Sequence, residues 1–266
     1  MLINMKKVAK IFLPPFAYNF IKYLAMKVKR ITLCKYLKKN LIYKDFYLGE
    51  SVCIIGNGPS INQSKDFIKQ FKNTIAMNNF HKSSFSDSIK PVAYCIGEPV
   101  SSDAWSDPLT IKAKSNAKTY WVDISNARVH TKENRAIFNY VNGILQPNDR
   151  GYIGDMHSDS LGSQTTAVLA IQVAIYMGFS NITLVGFEHS WLATPDHLSH
   201  FYSSRKDDDD TIDQYTYDEL MNKCVLMWSQ YRTIQKYAEK NNITIKNATP
   251  NSYLDVFPRQ AINISI

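Results

Sequence analysis

From residue 50 onward, short apolar segments alternate with longer amphipathic ones, and this alternation limits the possible fold more than any other feature. Each predicted strand has only four or five residues and is mostly apolar, which is typical of strands buried on both faces. Such strands in alternation with helices favour an α/β fold, with a mostly parallel sheet and helices on both faces. The predicted strands are 52–55, 74–77, 92–96, 119–122, 182–185 and 243–246, and the predicted helices are 64–72, 165–177 and 217–240.

The formal net charge of +8 belongs to the N-terminal segment. The first 44 residues contain ten Lys and one Arg and no acidic residue, so the remaining chain carries 20 basic and 23 acidic residues. The domain that follows therefore lacks the basic excess of nucleic-acid-binding proteins, and no nucleic-acid partner is predicted. The four cysteines form no C-x-x-C pair, which is typical of reduced thiols in the cytoplasm.

The N-terminal segment, residues 1–45, has the pattern of a basic amphipathic helix that begins near Pro14-Pro15. Its apolar run is interrupted by Lys22 and is too short to cross a bilayer. We expect residues 1–40 to bind an anionic membrane surface, which makes the protein cytoplasmic and peripheral on the inner face of the cell membrane. The alternative is a helix packed on the domain with a solvated basic face. The apolar stripe comprises Phe16, Ala17, Phe20, Ile21, Leu24 and Val28.

The first predicted strand runs directly into the turn G-N-G-P-S at residues 56–60. Gly56 and Gly58 permit positive φ and a close approach of the backbone to a ligand, and Ser60 could cap a following helix. Backbone N–H groups exposed at such a strand end favour an anionic or strongly hydrogen-bonding ligand. The alternative is a glycine turn chosen for backbone geometry alone. The turn lacks the third glycine of G-x-G-x-x-G and the lysine of the P-loop.

Polar residues also follow other predicted strands. Asn78 and Asn79 come after the second strand, where their carboxamides could read a ribose or a base. The irregular segment 188–216 contains three histidines and four consecutive aspartates, which is typical of a lid. We therefore divide the chain into the N-terminal segment 1–45 and a domain 46–266 with a lid at 188–216.

These motifs together resemble those of the bacterial CMP-sialic acid-dependent sialyltransferases that modify lipooligosaccharides. The resemblance rests on I-I-G-N-G-P-S, the Asn after the next strand, the T-T-A-V segment with its M-G-F-x-x-I-x-L-x-G continuation, a lid histidine and the late T-P-N-S-Y-L. It covers roughly residues 50–258. It implies a Rossmann-like domain that needs no cofactor or metal. The implied reaction is inverting transfer of sialic acid, or a related 2-keto acid sugar, from a CMP-activated donor to a glycan or glycolipid acceptor.

The resemblance also implies roles for individual residues. The nucleotide would contact Gly56, Asn57, Gly58, Pro59, Ser60 and Asn78. The family's Thr-Ser turn before the long helix binds the donor and matches Thr165 and Thr166. Further candidate contacts to the substrate or the nucleotide are Ser163, Gln164, Gly186, Glu188 and Tyr202. The sequence departs from the family pattern at Ser163, where the family has Arg, and at Glu188 and Ser190, where it has Asp and Tyr.

Inverting glycosyl transfer needs a base that removes the proton of the acceptor hydroxyl, and a histidine is suited to this near neutral pH. The candidates are His200, which the resemblance favours, together with His189 and His197. Each could instead pack the lid. The pair His197 and His200 could also bind a metal ion with Glu188 and Asp196. Tyr202 is either a partner of the leaving phosphate or a lid aromatic, and Asp207–Asp210 is typical of a solvated acidic run.

Two other functions remain open at this point. A pterin-type diphosphokinase could share the G-N-G-P-S turn and the sheet, and it would need Mg²⁺ held by carboxylates near a triphosphate. A non-catalytic accessory module of polysaccharide assembly would use the same fold without binding a nucleotide. A homo-oligomer is compatible with any of the three functions.

Overall fold

The computed structural model describes residues 34–97, 108–124, 137–190 and 216–262, together with positions 14, 17, 20, 21 and 24. Within these residues a single eight-stranded sheet forms the centre of the fold. Its strands in chain order are β1 (Ser51–Ile55), β2 (Thr74–Met77), β3 (Ala93–Ile96), β4 (Tyr120–Asp123), β5 (Asn139–Leu145), β6 (Asp159–Leu161), β7 (Asn181–Val185) and β8 (Thr244–Asn247). Neighbouring strands pair in the order β6-β5-β4-β3-β2-β1-β7-β8, and every pair is parallel.

The predicted parallel sheet with helices on both faces is confirmed. All six predicted strands occur within one residue of their predicted bounds, while β5 and β6 were not predicted. Their sequences explain the omission, because β5 reads N-Y-V-N-G-I-L and β6 reads D-S-L. Neither segment has the continuous apolar run that identified the central strands.

Among the described residues, 34–38 are helical, and four further α-helices accompany the sheet: α1 (Lys65–Ile68), α2 (Pro108–Lys114), α3 (Thr166–Tyr176) and α4 (Tyr217–Lys240). The bounds of α4 agree with the prediction. Its first turn is closed by a reciprocal capping box between Thr216 and Glu219. Helix α1 is shorter than the predicted 64–72, because the chain turns after Ile68 to enter β2. Short 3₁₀ turns occupy Lys39–Tyr43, Pro59–Ile61, Asn78–Lys82 and Ser86–Ser88.

The hydrophobic core has one layer on each face of the sheet. In β1, Val52 and Ile54 contact the layer that contains α3 and α4, whereas Cys53 and Ile55 contact the opposite layer around Ile68. Residues 167–176 of α3 are all buried. A strand that is covered on both faces must be apolar at every position, which is why the central strands read as continuous apolar runs.

Residues 34–47 lie against the sheet and are fixed there by buried contacts. Leu37 is only 1% exposed, and the ring of Tyr43 meets that of Trp121 edge-on at 5.6 Å. Asn40 is fully buried, and its Nδ2 donates to the carbonyls of Tyr140 at 2.7 Å and Met156 at 2.8 Å. These contacts lie on the N-terminal side of the predicted domain boundary at residue 45. Of the helices that the structure describes, none is both long enough and apolar enough to cross a membrane.

We expect Asn40→Ala to lower the free energy of unfolding by about 1–3 kcal/mol, because it removes the two buried hydrogen bonds that the Asn40 side chain donates. Urea unfolding of the purified protein measures this loss. The control is Asn62→Ala, since this asparagine is exposed to solvent. Equal stability of the two variants would show that the Asn40 contacts contribute nothing.

Candidate functional site

The order in which successive strands join the sheet reverses between β1 and β7. Strands β2 to β6 follow one another on one side of β1, and β7 then pairs on the other side, with Ile55 opposite Val185 at the carboxyl ends. Ligands of open parallel sheets bind in the crevice outside the carboxyl ends of strands at such a switch point. The turn 56–60 follows β1 and the segment 186–190 follows β7, so two of the predicted motifs border the same crevice.

The two turns are held together by their backbones. The N–H of Gly56 donates to the carbonyl of Val185 at 2.7 Å, and the N–H of Gly58 donates to that of Gly186 at 3.1 Å. A Cβ on Gly56 would overlap the Gly186 carbonyl. Gly186 itself has φ +81°, which a residue with a side chain rarely adopts. Glycine at position 56 is therefore required by the contact between the two turns.

Two expectations about the turn are wrong. Neither Gly56 nor Gly58 has positive φ, and the value at Gly58 is −68°. Their small size instead admits neighbouring protein groups. Ser60 does not cap a following helix, because it lies inside the 3₁₀ turn Pro59–Ile61 and the residue before α1 is Ser64.

A carboxylate of the protein lies against the turn. The Oε1 of Glu188 accepts a hydrogen bond from the backbone N–H of Ser60 at 2.7 Å. The same carboxylate covers Gly58 so closely that a Cβ there would overlap it. The turn thus already holds one negative charge, supplied by the segment after β7.

Several polar atoms around this turn are buried without a hydrogen-bond partner in the described part of the chain. They are Asn57 Oδ1, Ser60 Oγ, Ser64 Oγ and Glu188 Oε2. A buried polar atom without a partner costs about 1–3 kcal/mol, so such groups are rarely clustered unless they bind something. Two of the four are acceptors only, which favours a ligand that donates hydrogen bonds.

Asn78 connects the neighbouring strands at the same edge. It follows β2 with φ +44°, its Oδ1 accepts from the N–H of Gly97 at 2.9 Å, and its Nδ2 donates to Thr166 Oγ1 at 3.1 Å. The hydroxyl of Tyr94 donates to its carbonyl at 2.8 Å. The structure therefore brings together the predicted residues Asn78 and Thr166, and it places Gly97 beside them.

The other predicted residues before α3 make contacts within the protein. Thr165 is the N-cap of α3 and accepts from the N–H of Val168. The backbone N–H of Gln164 donates to Gln230 Oε1 at 2.9 Å. Ser163, which stands where the sialyltransferases have Arg, accepts from Gln172 Nε2 at 3.1 Å. These bonds fix the entry to α3 beside the switch point.

His189 lies in the wall between the segment after β7 and α4. Its Nε2 is 2.9 Å from the hydroxyl of Tyr231, and its ring lies 5.5 Å from that of Trp228. Burial lowers the pKa of His189 to about 3, so the imidazole is neutral in the folded protein. Burial also raises the pKa of Tyr231, and a hydrogen bond with Thr165 opposes this shift. Tyr231 and Gln230 were not predicted, because no local motif distinguishes them from the core residues of α4.

His197, His200, Tyr202 and the run Asp207–Asp210 fall in 191–215, outside the described residues. Their predicted roles therefore stay predictions, and so does the lid as a whole. Among the residues that the structure describes, no group of three or more His, Cys, Asp or Glu side chains could hold a metal ion.

The chain is similar to a protein family and to solved structures. The family described as 6-hydroxymethylpterin diphosphokinase MptE-like matches residues 19–194. The MAf glycosyltransferase from Magnetospirillum magneticum AMB-1 aligns with a TM-score of 0.48 and 14% sequence identity, over 86% of this chain and 38% of that protein. The chain thus spans well under half the length of that protein. No curated protein matches the sequence.

The neutral state of His189 predicts how stability depends on pH. As the pH falls, His189 binds a proton in the unfolded chain, where its pKa is near 6.5, before it does so in the folded protein. The contribution of His189 to the free energy of unfolding is therefore present above about pH 6.5 and is lost as the pH falls toward 3. In this range the free energy of unfolding should fall by up to about 1.4 kcal/mol per pH unit. Urea unfolding between about pH 7 and pH 5 should show a flatter pH dependence for His189→Asn, because Asn does not titrate and tolerates the positive φ of this position. Parallel curves for the two proteins would contradict the assignment.

Proposed function

The chain belongs to the 6-hydroxymethylpterin diphosphokinase MptE-like family, and we propose that it is a transferase whose nucleotide-activated donor binds between the turns after β1 and β7. The observation that supports this most directly is the set of partnerless polar atoms at the switch point, above all Asn57 Oδ1 and Glu188 Oε2. The finer proposal is an inverting glycosyltransferase that moves sialic acid or a related 2-keto acid sugar from CMP to a glycan. It rests on the motif resemblance of residues 50–258.

In this proposal the turn holds the nucleoside and not the phosphate. A phosphate against the turn would lie beside the Glu188 carboxylate, which already accepts from Ser60. Two negative charges at that distance repel each other, and burial strengthens the repulsion. Ribose hydroxyls or the amino group of cytosine are donors, and they would instead satisfy Glu188 Oε2 and Asn57 Oδ1.

The phosphate would then lie at the start of α3. This helix has eleven residues, and the N–H groups of its first turn favour an anion. Thr166 is already joined to Asn78 there, so the phosphate would be placed between the ends of β1, β2 and α3. This division of the site separates the negative charge of the donor from that of Glu188.

Transfer itself requires the acceptor hydroxyl to attack the anomeric carbon of the sugar. The bond from that carbon to the phosphate oxygen breaks, CMP leaves, and the hydroxyl proton passes to a base. His189 is poorly suited to this task, because a base with a pKa of about 3 has little affinity for the proton. We therefore assign the base to His200, with His197 as the alternative, and assign His189 to the wall of the site.

The family description supports a second candidate, a pterin diphosphokinase. That reaction would move a diphosphoryl group from ATP to a hydroxyl of the pterin with release of AMP, and it would need Mg²⁺ on the phosphates. The carboxylates would come from the acidic residues of the lid, including Asp207–Asp210. The two candidates differ in nucleotide and in their need for metal, so binding measurements separate them.

A thermal-shift panel of CMP, UDP, GDP and ATP, each with and without Mg²⁺, tests the proposed function. We expect CMP to raise the melting temperature equally in both conditions, because no metal takes part in its binding. Stabilisation by ATP with Mg²⁺ alone would favour the diphosphokinase. Stabilisation by no nucleotide would favour an accessory module.

Glu188→Gln tests the placement of the nucleoside. It should weaken the binding of CMP and of cytidine by the same factor, about tenfold or 1.4 kcal/mol, because the amide presents a donor where the carboxylate presented an acceptor. Titration calorimetry with both ligands measures the two factors. The matched control is Asp66→Asn, which removes an exposed carboxylate of α1. Tighter CMP binding with unchanged cytidine binding would place the phosphate at the turn instead.

Replacement of the three histidines tests the base. His200→Ala should lower the rate of CMP release from the activated donor by roughly 10²- to 10⁴-fold, with little change in CMP affinity, because the base acts on the acceptor. His197→Ala and His189→Ala are the comparisons. A normal rate for His200→Ala with loss of activity in His197→Ala moves the role to His197. Activity in all three variants would show that the mechanism is wrong.

A further inference from the structure

Four large apolar side chains are exposed within the short segment 41–48, at the amino edge of the sheet. Leu41 is 48% exposed, Ile42 68%, Phe46 66% and Leu48 76%. We call them the amino-edge patch. Single exposed apolar residues are ordinary, but four within eight positions form a surface that usually contacts a partner or a membrane.

The patch cannot be buried by a local rearrangement, because its backbone is tied to the end of α3. The N–H groups of Asp45, Tyr47 and Gly49 donate to the carbonyls of Tyr176, Met177 and Gly178 at 3.0, 2.7 and 3.0 Å. The ring of Tyr47 stacks on Phe179 at 4.8 Å. The inward side chains of the segment thus already pack on the fold, and the side chains on its outer face are apolar as well.

Lysines border the patch on its N-terminal side, and one exposed acidic residue, Asp45, lies within its segment. Lys35 and Lys38 are exposed on the helical residues 34–38 just before it, and Lys39 is exposed at the start of the 3₁₀ turn Lys39–Tyr43. Asp45 is the first acidic residue of the chain. Lys35 and Lys39 each lie about 5 Å from the ring of Tyr36, which keeps their ammonium groups close to the surface of the fold. Lys44 is paired with Asp155 at 2.7 Å. Apolar side chains bordered by lysines complement an anionic bilayer, which offers acyl chains beneath a layer of negative head groups.

Three apolar side chains earlier in the chain are exposed as well. Phe20, Ile21 and Leu24 lie at helical spacing and are 60%, 52% and 43% exposed. An apolar stripe that packed on the domain would be buried, so these exposures favour contact with a surface outside the protein.

We propose that the amino-edge patch inserts into the interface of an anionic membrane and fixes the orientation of the domain on it. The patch lies at the amino ends of the strands, whereas the turn 56–60 lies at their carboxyl ends, a strand length of about 17 Å away. The switch point would then face away from the bilayer. An acceptor anchored in the same membrane would have to extend past the sheet to reach it. This inference does not depend on which group the protein transfers.

Sedimentation of the full chain with lipid vesicles tests the proposal. The wild-type protein should bind vesicles that contain phosphatidylglycerol and bind pure phosphatidylcholine vesicles at least about tenfold more weakly, with the difference reduced by salt. The double variant Ile42→Ser, Leu48→Ser should lower the partition coefficient for anionic vesicles by about tenfold or more. The matched control is Val225→Ser, because Val225 is 63% exposed but lies on α4.

A fluorescence measurement covers the case in which the double variant fails to fold. Phe46→Trp should give a tryptophan that lipids with brominated acyl chains quench, whereas Val225→Trp should not be quenched. Equal partition of the double variant and the wild type, or equal quenching at both positions, overturns the proposal. So does a dimer of the wild-type protein that the double variant abolishes without any change in vesicle binding, since the patch would then join two copies of the chain.

Discussion

The arrangement of the site depends on the contact between the backbones of Gly56 and Gly186. Strands β1 and β7 pair in parallel up to Ile55 and Val185, and the two turns remain hydrogen-bonded to one another beyond the last pair. This contact is possible only because neither position carries a side chain. It brings the G-N-G-P-S turn against the residues after β7, although the two are about 130 positions apart in the chain. The topology places a crevice at the switch point, and the two glycines allow the turns that border it to approach each other closely.

The contact also determines the charge of the crevice. Because the turns meet, Glu188 reaches the backbone N–H of Ser60 and occupies the place where an isolated glycine turn would bind an anion. The ends of β2, β3 and α3 are joined by the side chain of Asn78. A site built from these two parts offers acceptors at the turn and N–H groups at the helix. That separation matches a nucleotide, which carries donors at one end and a phosphate at the other.

The proposed membrane contact and the proposed donor site lie at opposite ends of the same strands. Residues 45–49 cross the end of α3, where Gly178 has φ +91° and a Cβ would press on Asp45 and Leu48. This crossing holds the exposed apolar side chains on a rigid support. A parallel sheet has all its amino ends at one edge and all its carboxyl ends at the other, so a protein that binds a surface through one edge presents the other edge to the solvent.

The sequence alone determined the parallel sheet and the position of the G-N-G-P-S turn, because burial on both faces requires apolar residues at every position of a short strand. It did not predict β5 and β6, because polar residues interrupt the apolar run that identifies a buried strand. It also could not tell that Gly58 makes room for Glu188, or that Tyr231 contacts His189, since these partners are 130 and 42 residues apart. Local patterns record which face of an element is buried. Only the tertiary structure decides which distant polar groups meet there, and so which of them are still able to bind a ligand.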